Sequence, residues 1–473
     1  MLRKLGVTLL SGAALVLGAC SSSSTPDLCS GVAAPCVAFP TGTAASTVTA
    51  AFNGTVAANT TFVFGSGTFA FDNTLNLPLV TGMKITGAGI DTTTLDFSGQ
   101  TAGAGGIHAA DGTQNITFSG FTVKNPKGDG IDVKSGVGVY FNKVKVIWTA
   151  ADNTTHGSYA LYPVNSTNVL IDGCVVIGSR DAGLYVGQSK TIIVRNSTVS
   201  QSVAGIEIEA SSDADVYDNE AFNNTGGILV FALPGLSDPS GNHGTKNVRV
   251  YNNNVHDNNT LNFGAAGTTV AAVPAGSGIL VIAATNVEVY GNNISNNDAV
   301  AFAFVSYCLL DLASSPNFCE TLPNPIDPVF NPLGSSAWVH DNTFSGNGGS
   351  PHLTNAAGQV QLFGALLFQI KSAFPSSTIS ELLWDGIGGP GYAPPTGTAT
   401  SGTPPNPLAY WQKNGASATF GNLNFQGGLV PDPANPVPDT TALRFDIADF
   451  TWPGTPTANP PGFPLPAVTV PGA

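Results

Sequence analysis

"IIVRNSTVSQSVAGIEIEASSDADVYDNEAFNNTGGILVF", residues 192–231, says nearly the same thing twice. Arg195-Asn196-Ser197-Thr198 leads to Gly205-Ile206-Glu207-Ile208, and Asp218-Asn219-Glu220-Ala221 leads to Gly227-Ile228-Leu229-Val230. Each Gly-led phrase sits in a run whose core-facing positions recur every second residue, the period of a strand with one face buried. Restatement at so short an interval predicts stacked supersecondary units, none of which can bury its apolar face alone.

The first phrase recurs well beyond this stretch. It reads NITFSGFT (115–122), GVYFNKVK (138–145), NVLIDGCV (168–175), TIIVRNST (191–198), ADVYDNEA (214–221), NVRVYNNNV (247–255), NVEVYGNNI (286–294) and AWVHDNTF (337–344). Aligned on one position, these segments set Gly120, Lys143, Gly173, Asn196, Asn219, Asn253, Asn292 and Asn342 in register, at steps of 23, 30, 23, 23, 34, 39 and 50 residues. A constant minimum with longer exceptions marks a solenoid with loop insertions. The second phrase recurs as GIDVKS (130–135), GLYVGQS (183–189), GIEIEAS (205–211), GILVF (227–231) and GILVIAA (278–284). Two or three short strands per rung, with Gly and Asn at the corners, predict an all-β, right-handed parallel β-helix with rungs about 4.8 Å apart. Asn suits the corners because it tolerates left-handed backbone and because its amides stack into a ladder along the axis.

These repeats resemble the parallel β-helix repeat family, the broad group that holds pectate lyases, polygalacturonases and mannuronan epimerases, over about Phe62 to Phe344. GAGIDTTTLDFSGQ (87–100), ALYPVNSTNVLIDG (160–173), DAGLYVGQS (181–189), VAGIEIEAS (203–211) and GGILVFALPG (226–235) further resemble a subgroup of exported bacterial β-helix lipoproteins of unassigned function. The resemblance implies the fold, and the fold hosts many activities. KGDGIDVKS (127–135) resembles a polygalacturonase active-site phrase, and SRDAGLYVGQS (179–189) supplies Asp181 where a paired aspartate belongs. The Gly-His-Gly and Arg-Ile-Lys phrases of that family are missing, as is the Tyr-Gly-x-Asp-Pro-His phrase of the mannuronan epimerases.

The ends and the composition give an address. Arg3 and Lys4 precede an apolar run, Leu5 to Leu17, too short to span a bilayer and suited to a signal peptide. Leu17-Gly18-Ala19-Cys20 resembles a bacterial lipobox, which implies lipidation at Cys20, and Ser21 after it implies the outer membrane, with the lipid as the only membrane contact. Residues 1–20 are therefore expected to be a signal peptide, 21–50 a tether with a Cys29/Cys36 segment, 51–345 the β-helix, and 346–473 an irregular Pro/Gly-rich region packed on it. Cys29 with Cys36 and Cys308 with Cys319 are expected to pair in an oxidising compartment, leaving Cys174 as a small buried thiol. A formal net charge of −14 argues against nucleic acid as a partner.

Residues that flank the inward ones must point outward. With Ile131, Val133, Leu184, Val186, Ile206 and Ile208 in the core, the outward set is Asp132 and Lys134, Tyr162, Tyr185, Glu207 and Glu209, then Leu229 and Phe231. Asp132, Lys134, Tyr162 and Glu207 have the chemistry for acid–base work on a sugar. His156, Arg180, Asp181, Tyr185 and Glu209 have the chemistry to hold one, and Asp132 and Glu207 can bind a hard cation such as calcium. The leading expectation is an envelope-anchored protein that binds or presents carbohydrate. A polysaccharide lyase, C5-epimerase or glycoside hydrolase comes second. A protein-interaction scaffold using the apolar strip of Phe231 and Leu280 comes third, provided nothing in the chain covers that strip.

Overall fold

The computed structural model describes residues 27–310, 326–373, 375, 379–386, 409–410, 414, 418–423, 459–460 and 462–472. Strands pair in parallel with the next turn of the chain, never with a sequence neighbour by hairpin, forming one sheet of 20 strands and one of 11 among the described residues. One complete rung is Ala204–Glu209, Ser212–Tyr217 and Glu220–Phe222. Its register puts Ile206 between Leu184 and Ile228, and Ala214 between Ile192 and Val248. Period-two alternation thus becomes continuous apolar stacks inside the coil, with Leu184, Ile206, Ile228, Ile279 and Phe302 all fully buried. Each such side chain contributes about 1.5–3 kcal/mol by leaving water. The architecture is a right-handed parallel β-helix, as expected.

The corner reading needs one correction. The backbone at Asn196 (φ 51°) corresponds to Asp218 (φ 54°), Asn252 (φ 56°) and Asp341 (φ 53°), all in the left-handed region. The residue that follows points inward instead. Ser197 N donates to Asn219 Oδ1 over a step of 22 residues, not the 23 that aligned Asn196 with Asn219. Asn219, Asn253, Asn292, Asn342 and Asn414 then form the expected ladder, each Nδ2 donating to the next Oδ1 at 2.9–3.0 Å. Two adjacent positions both favour Asn, one for backbone conformation and one for its amide, so an alignment on Asn alone slips between them. A second ladder of Asn224, Asn258, Asn297 and Asn347 lines another corner. Cys174 occupies the inward corner site below Ser197, fully buried, its thiol pushed up to about 12 by burial.

The N-terminal end is closed by a segment outside the repeat. The helix Ala45–Asn53 lays Val48 and Phe52 on the first coil, Phe52 against Phe62 at 4.1 Å between ring centroids. Cys36–Phe39 already pairs with Thr61–Phe64, so the coil begins before residue 51, and Cys29 is bridged to Cys36. Cys308 is disulfide-bonded, while Cys319, Cys20 and the expected signal peptide lie outside the described residues. At the other end Leu382–Trp384 and Phe420–Asn422 continue the ladder past residue 345, where the repeat phrase is no longer legible.

Residues 463–471 run as a strap across the rungs. Phe463 packs on Trp338, Leu465 N donates to Glu288, Val468 N to Asp215, Val470 packs on Leu170 and Ile193, and the Tyr140 hydroxyl donates to Pro471 O. Tyr140, Leu170, Ile193, Asp215, Arg249, Glu288 and Trp338 are one outward row on successive rungs. Six rung spacings of about 4.8 Å make about 29 Å, which eight extended residues just span. In the region 346–473, expected to pack on the coil, Phe420 is buried, while Trp411, Phe425, Phe445, Phe450 and Trp452 lie outside the described residues.

Candidate functional site

The 11-stranded sheet, not the 20-stranded one under the strap, carries two outward rows. The first runs Asn76, His108, Asp132, Tyr162, then Tyr185, Glu207, Leu229, Leu280, Ala303 and Leu383. The second runs Lys134, Val164, Gly187, Glu209, Phe231, Ile282 and Val305. Asp132, Tyr162, Tyr185 and Glu207 therefore share one line, with Lys134 and Glu209 beside it. The polar-to-apolar gradient is the one expected. What differs is its accessibility.

The long repeat steps are the reason. The described parts of the insertions 232–244, 257–276, 306–334 and 346–381 fall beside the later rungs, and the helix Leu362–Ala373 lies among them. Leu229, Phe231, Leu280 and Ile282 pack with Val270, Leu309, Phe363 and Leu366. The strip is covered by the chain itself, so it is not an exposed protein interface. Glu207 and Glu209 point outward but are buried, Glu207 to 2% exposure, and so are Asp181 and Tyr185. An open groove through these residues is thus replaced by a covered one.

Tyr159, from the insertion 148–159, closes the middle of the face. Its ring stacks on Tyr162 at 4.4 Å and meets Tyr185 at 4.7 Å, while Tyr162 and Tyr185 are 4.9 Å apart. The Tyr185 hydroxyl donates to Glu209 Oε2 at 2.5 Å. Burial and the Glu209 charge push Asp181 up to about 7, and burial with the Asp181 and Glu209 charges pushes Glu207 well above the carboxylate range. Burial also raises Glu209. No Lys or Arg forms an ion pair with these three among the described residues, so they share protons rather than counter-ions.

Ahead of this covered cluster the row is more open: Asn76 and Lys134 are exposed, His108 and Tyr162 are half-buried, and Asp132 is buried with its Oδ2 2.7 Å from His108 Nδ1. Asp129 accepts from Tyr159 N at 3.2 Å and is pushed up to about 6, first by burial and then by the Asp132 charge.

Two expected substrate residues are placed elsewhere. His156 is a loop anchor: its ring nitrogens lie 2.5 Å from Gly178 O and 3.0 Å from Ala150 O, and its ring stacks on Trp148. Arg180 sits at the base of the same loop, its N donating to Gly157 O. Among the described residues no group of three or more His, Cys, Asp and Glu side chains has the arrangement of a metal site. His108 and Tyr159 were missed. GGIHAA (105–110) is the Gly-led phrase one rung earlier and would have pointed to His108; nothing local marks Tyr159, whose role arises from how its insertion folds back.

Residues 136–313 match the family model described as right handed beta helix region. A search of curated proteins finds no match. Among solved structures, the mannuronan C-5 epimerase AlgE6 A-module of Azotobacter vinelandii is 16% identical, with a TM-score of 0.39 over 60% of this chain and 77% of its own. The tailspike of E. coli bacteriophage HK620 with a pentasaccharide is 14% identical, with a TM-score of 0.42 over 66% of this chain and 54% of its own. The periplasmic alginate epimerase AlgG is 14% identical, with a TM-score of 0.39 over 66% and 79%.

Proposed function

We propose that this right-handed parallel β-helix protein binds a neutral glycan along the open end of its outward row. The observation that carries the reading is the run Asn76, His108, Asp132 and Tyr162 on consecutive rungs, three polar groups leading to an aromatic ring. A linear polysaccharide presents hydroxyls at a repeat close to one rung, so each rung can serve one sugar. Asp129 and Asp132 at this end of the face disfavour a polyanion, and a uronate lyase or epimerase would need cations to neutralise its substrate. Among the described residues, Lys134 is the exposed cation in the neighbouring outward row. Titration calorimetry against neutral and uronate-rich polysaccharides tests this. Binding of a neutral glycan that falls at least tenfold in Asp132→Asn and His108→Ala supports it, and preference for a uronate sinks it.

A second reading, hydrolysis, is favoured by Asp129. A carboxyl held near 6 beside a second carboxyl, Asp132, is how an acid and a base are told apart at one site. Reducing ends released by the wild type and lost in Asp129→Asn would select it. We also infer lipidation at Cys20 and retention at the outer membrane of a bacterial envelope; incorporation of labelled palmitate that survives Cys20→Ser would refute this.

A further inference from the structure

The outward row that carries the glycan reading is short, and it is sealed at one end. Asn76 lies on the terminal strand of the 11-stranded sheet, and His108, Asp132 and Tyr162 follow it on consecutive rungs. Three rung spacings of about 4.8 Å make about 14 Å. At the Asn76 end the side chain is exposed, and no strand of this sheet precedes it among the described residues. After Tyr162 the row is closed: Tyr185, Glu207, Leu229 and Leu280 are each no more than 3% exposed. The neighbouring row closes at the same place. Lys134 is exposed, Val164 and Glu209 are buried, and the Tyr185 ring fills the space over Gly187 between them.

Three tyrosines make the seal. Tyr159 lies 4.4 Å from Tyr162 and nearly parallel to it, Tyr185 lies 4.9 Å from Tyr162, and Tyr159 and Tyr185 are 4.7 Å apart. Rings on opposite faces of Tyr162 would be about twice as far from each other. Both therefore occupy the side turned toward the later rungs, where Tyr185 belongs, and the side turned toward Asp132 is left to a ligand. The backbone holds the seal in place, because Gly130 N donates to Tyr159 O and Tyr159 N donates to Asp129 Oδ1. We propose, resting on the glycan reading, that the row takes the end of a neutral glycan chain and not its interior. The terminal sugar packs its C–H face on Tyr162 above Asp132, whose carboxylate is fixed by His108 Nδ1 at 2.7 Å. About three more sugars follow past His108 and Asn76, and the chain then leaves the protein. A sugar continuing the other way would need the space of Tyr159 and Tyr185.

Length dependence and stoichiometry test this. The full-length protein is titrated by calorimetry with α-1,4-glucan, β-1,3-glucan and β-1,4-mannan oligosaccharides of two to eight sugars, and with soluble polymers of each. For the glycan that binds, affinity is expected to rise up to the tetrasaccharide and to stay within about twofold beyond it. A polymer is expected to take up one protein per chain, whatever its length. Tyr162→Ala is expected to weaken every length at least tenfold, and Asn76→Ala to erase the gain between trisaccharide and tetrasaccharide. A thermal melt of both variants checks that the coil is intact. Stoichiometry that grows with polymer length, affinity that keeps rising past six sugars, or an Asn76→Ala loss equal at all lengths would each overturn end recognition while leaving glycan binding in place. Binding to none of the probes would overturn the glycan reading itself, and end recognition with it.

Discussion

The Tyr185 hydroxyl reaches Glu209 Oε2 at 2.5 Å by lying across Gly187, the residue one rung before Glu209 in the second outward row. A Cβ at Gly187 would sit 2.3–2.4 Å from the Tyr185 ring carbons. The ring therefore occupies the space that any other residue would fill. Gly187→Ala is expected to cost about 1–3 kcal/mol through this overpacking. Tyr185→Phe keeps the ring but leaves Glu209 without its donor, at a similar cost of about 1–3 kcal/mol. Urea denaturation of the two variants and their double mutant would check this; strict additivity would show that the two residues do not act as one unit.

The buried carboxyls predict an unusual pH profile. Asp129 is pushed up to about 6 and Asp181 to about 7, so the folded protein holds protons that the unfolded chain releases near 3.8. A raised folded-state value gives stability that is full below the unfolded value and lost as pH rises through the folded one. Groups with lowered values, such as Asp96 and Asp327, act in the opposite sense only at the acid end. The melting temperature is therefore expected to fall from pH 5 to pH 7.5. Asp181→Asn should flatten the upper part of that decline; an unchanged slope would remove Asp181 as its source.

The corner register makes a paired prediction. Asn253 accepts from Asn219 N and Nδ2 and donates to Val216 O and Asn292 Oδ1, all buried. Asn253→Ala strands several of these groups, each costing about 1–3 kcal/mol. Asn252, next to it, is in the left-handed region at φ 56°. Asn252→Gly meets that backbone without strain and is expected to shift stability by less than ~1 kcal/mol. Chemical denaturation of both variants distinguishes the two roles, and equal losses would return the corner to a single Asn site.

Removing the strap is expected to loosen the later rungs. A chain ending at residue 458 uncovers Trp338, Leu170 and Ile193 and deprives Asp215 and Glu288 of backbone donors. Asp215 keeps its bidentate ion pair with Arg249, so the coil itself should persist. The expected result is a lower melting temperature with far-ultraviolet dichroism preserved. An unchanged melt would mean that the strap contributes nothing to stability.

Burying Glu207 predicts a gain on its removal. Glu207→Leu matches Leu229 and Leu280 and relieves an unsatisfied oxygen, so at pH 7.5 it is expected to stabilise the protein by about 1 kcal/mol or more. A thermal melt reads it, and a loss of stability would mean that Glu207 has a partner in the folded chain.

What residues 192–231 determined alone was the coil: period-two alternation and corner residues act within one rung, and stacking them repeats a local rule. The outward row was legible for the same reason, since Asp132, Tyr162, Tyr185 and Glu207 follow from which neighbours face in. Even the cover was half-legible, because steps of 34, 39 and 50 residues coincide with the apolar rungs. Exposure was decided by tertiary structure. Insertions obey no repeat, so only folding shows that Tyr159 caps the tyrosines, that His156 turns into its own loop, and that Glu207 ends in an apolar cleft. The strap was decided there as well, because Val470 meets Leu170 and Ile193 from the far end of the chain. Periodicity encodes what one rung does to the next; contacts between segments distant in sequence depend on shape, which no local pattern carries.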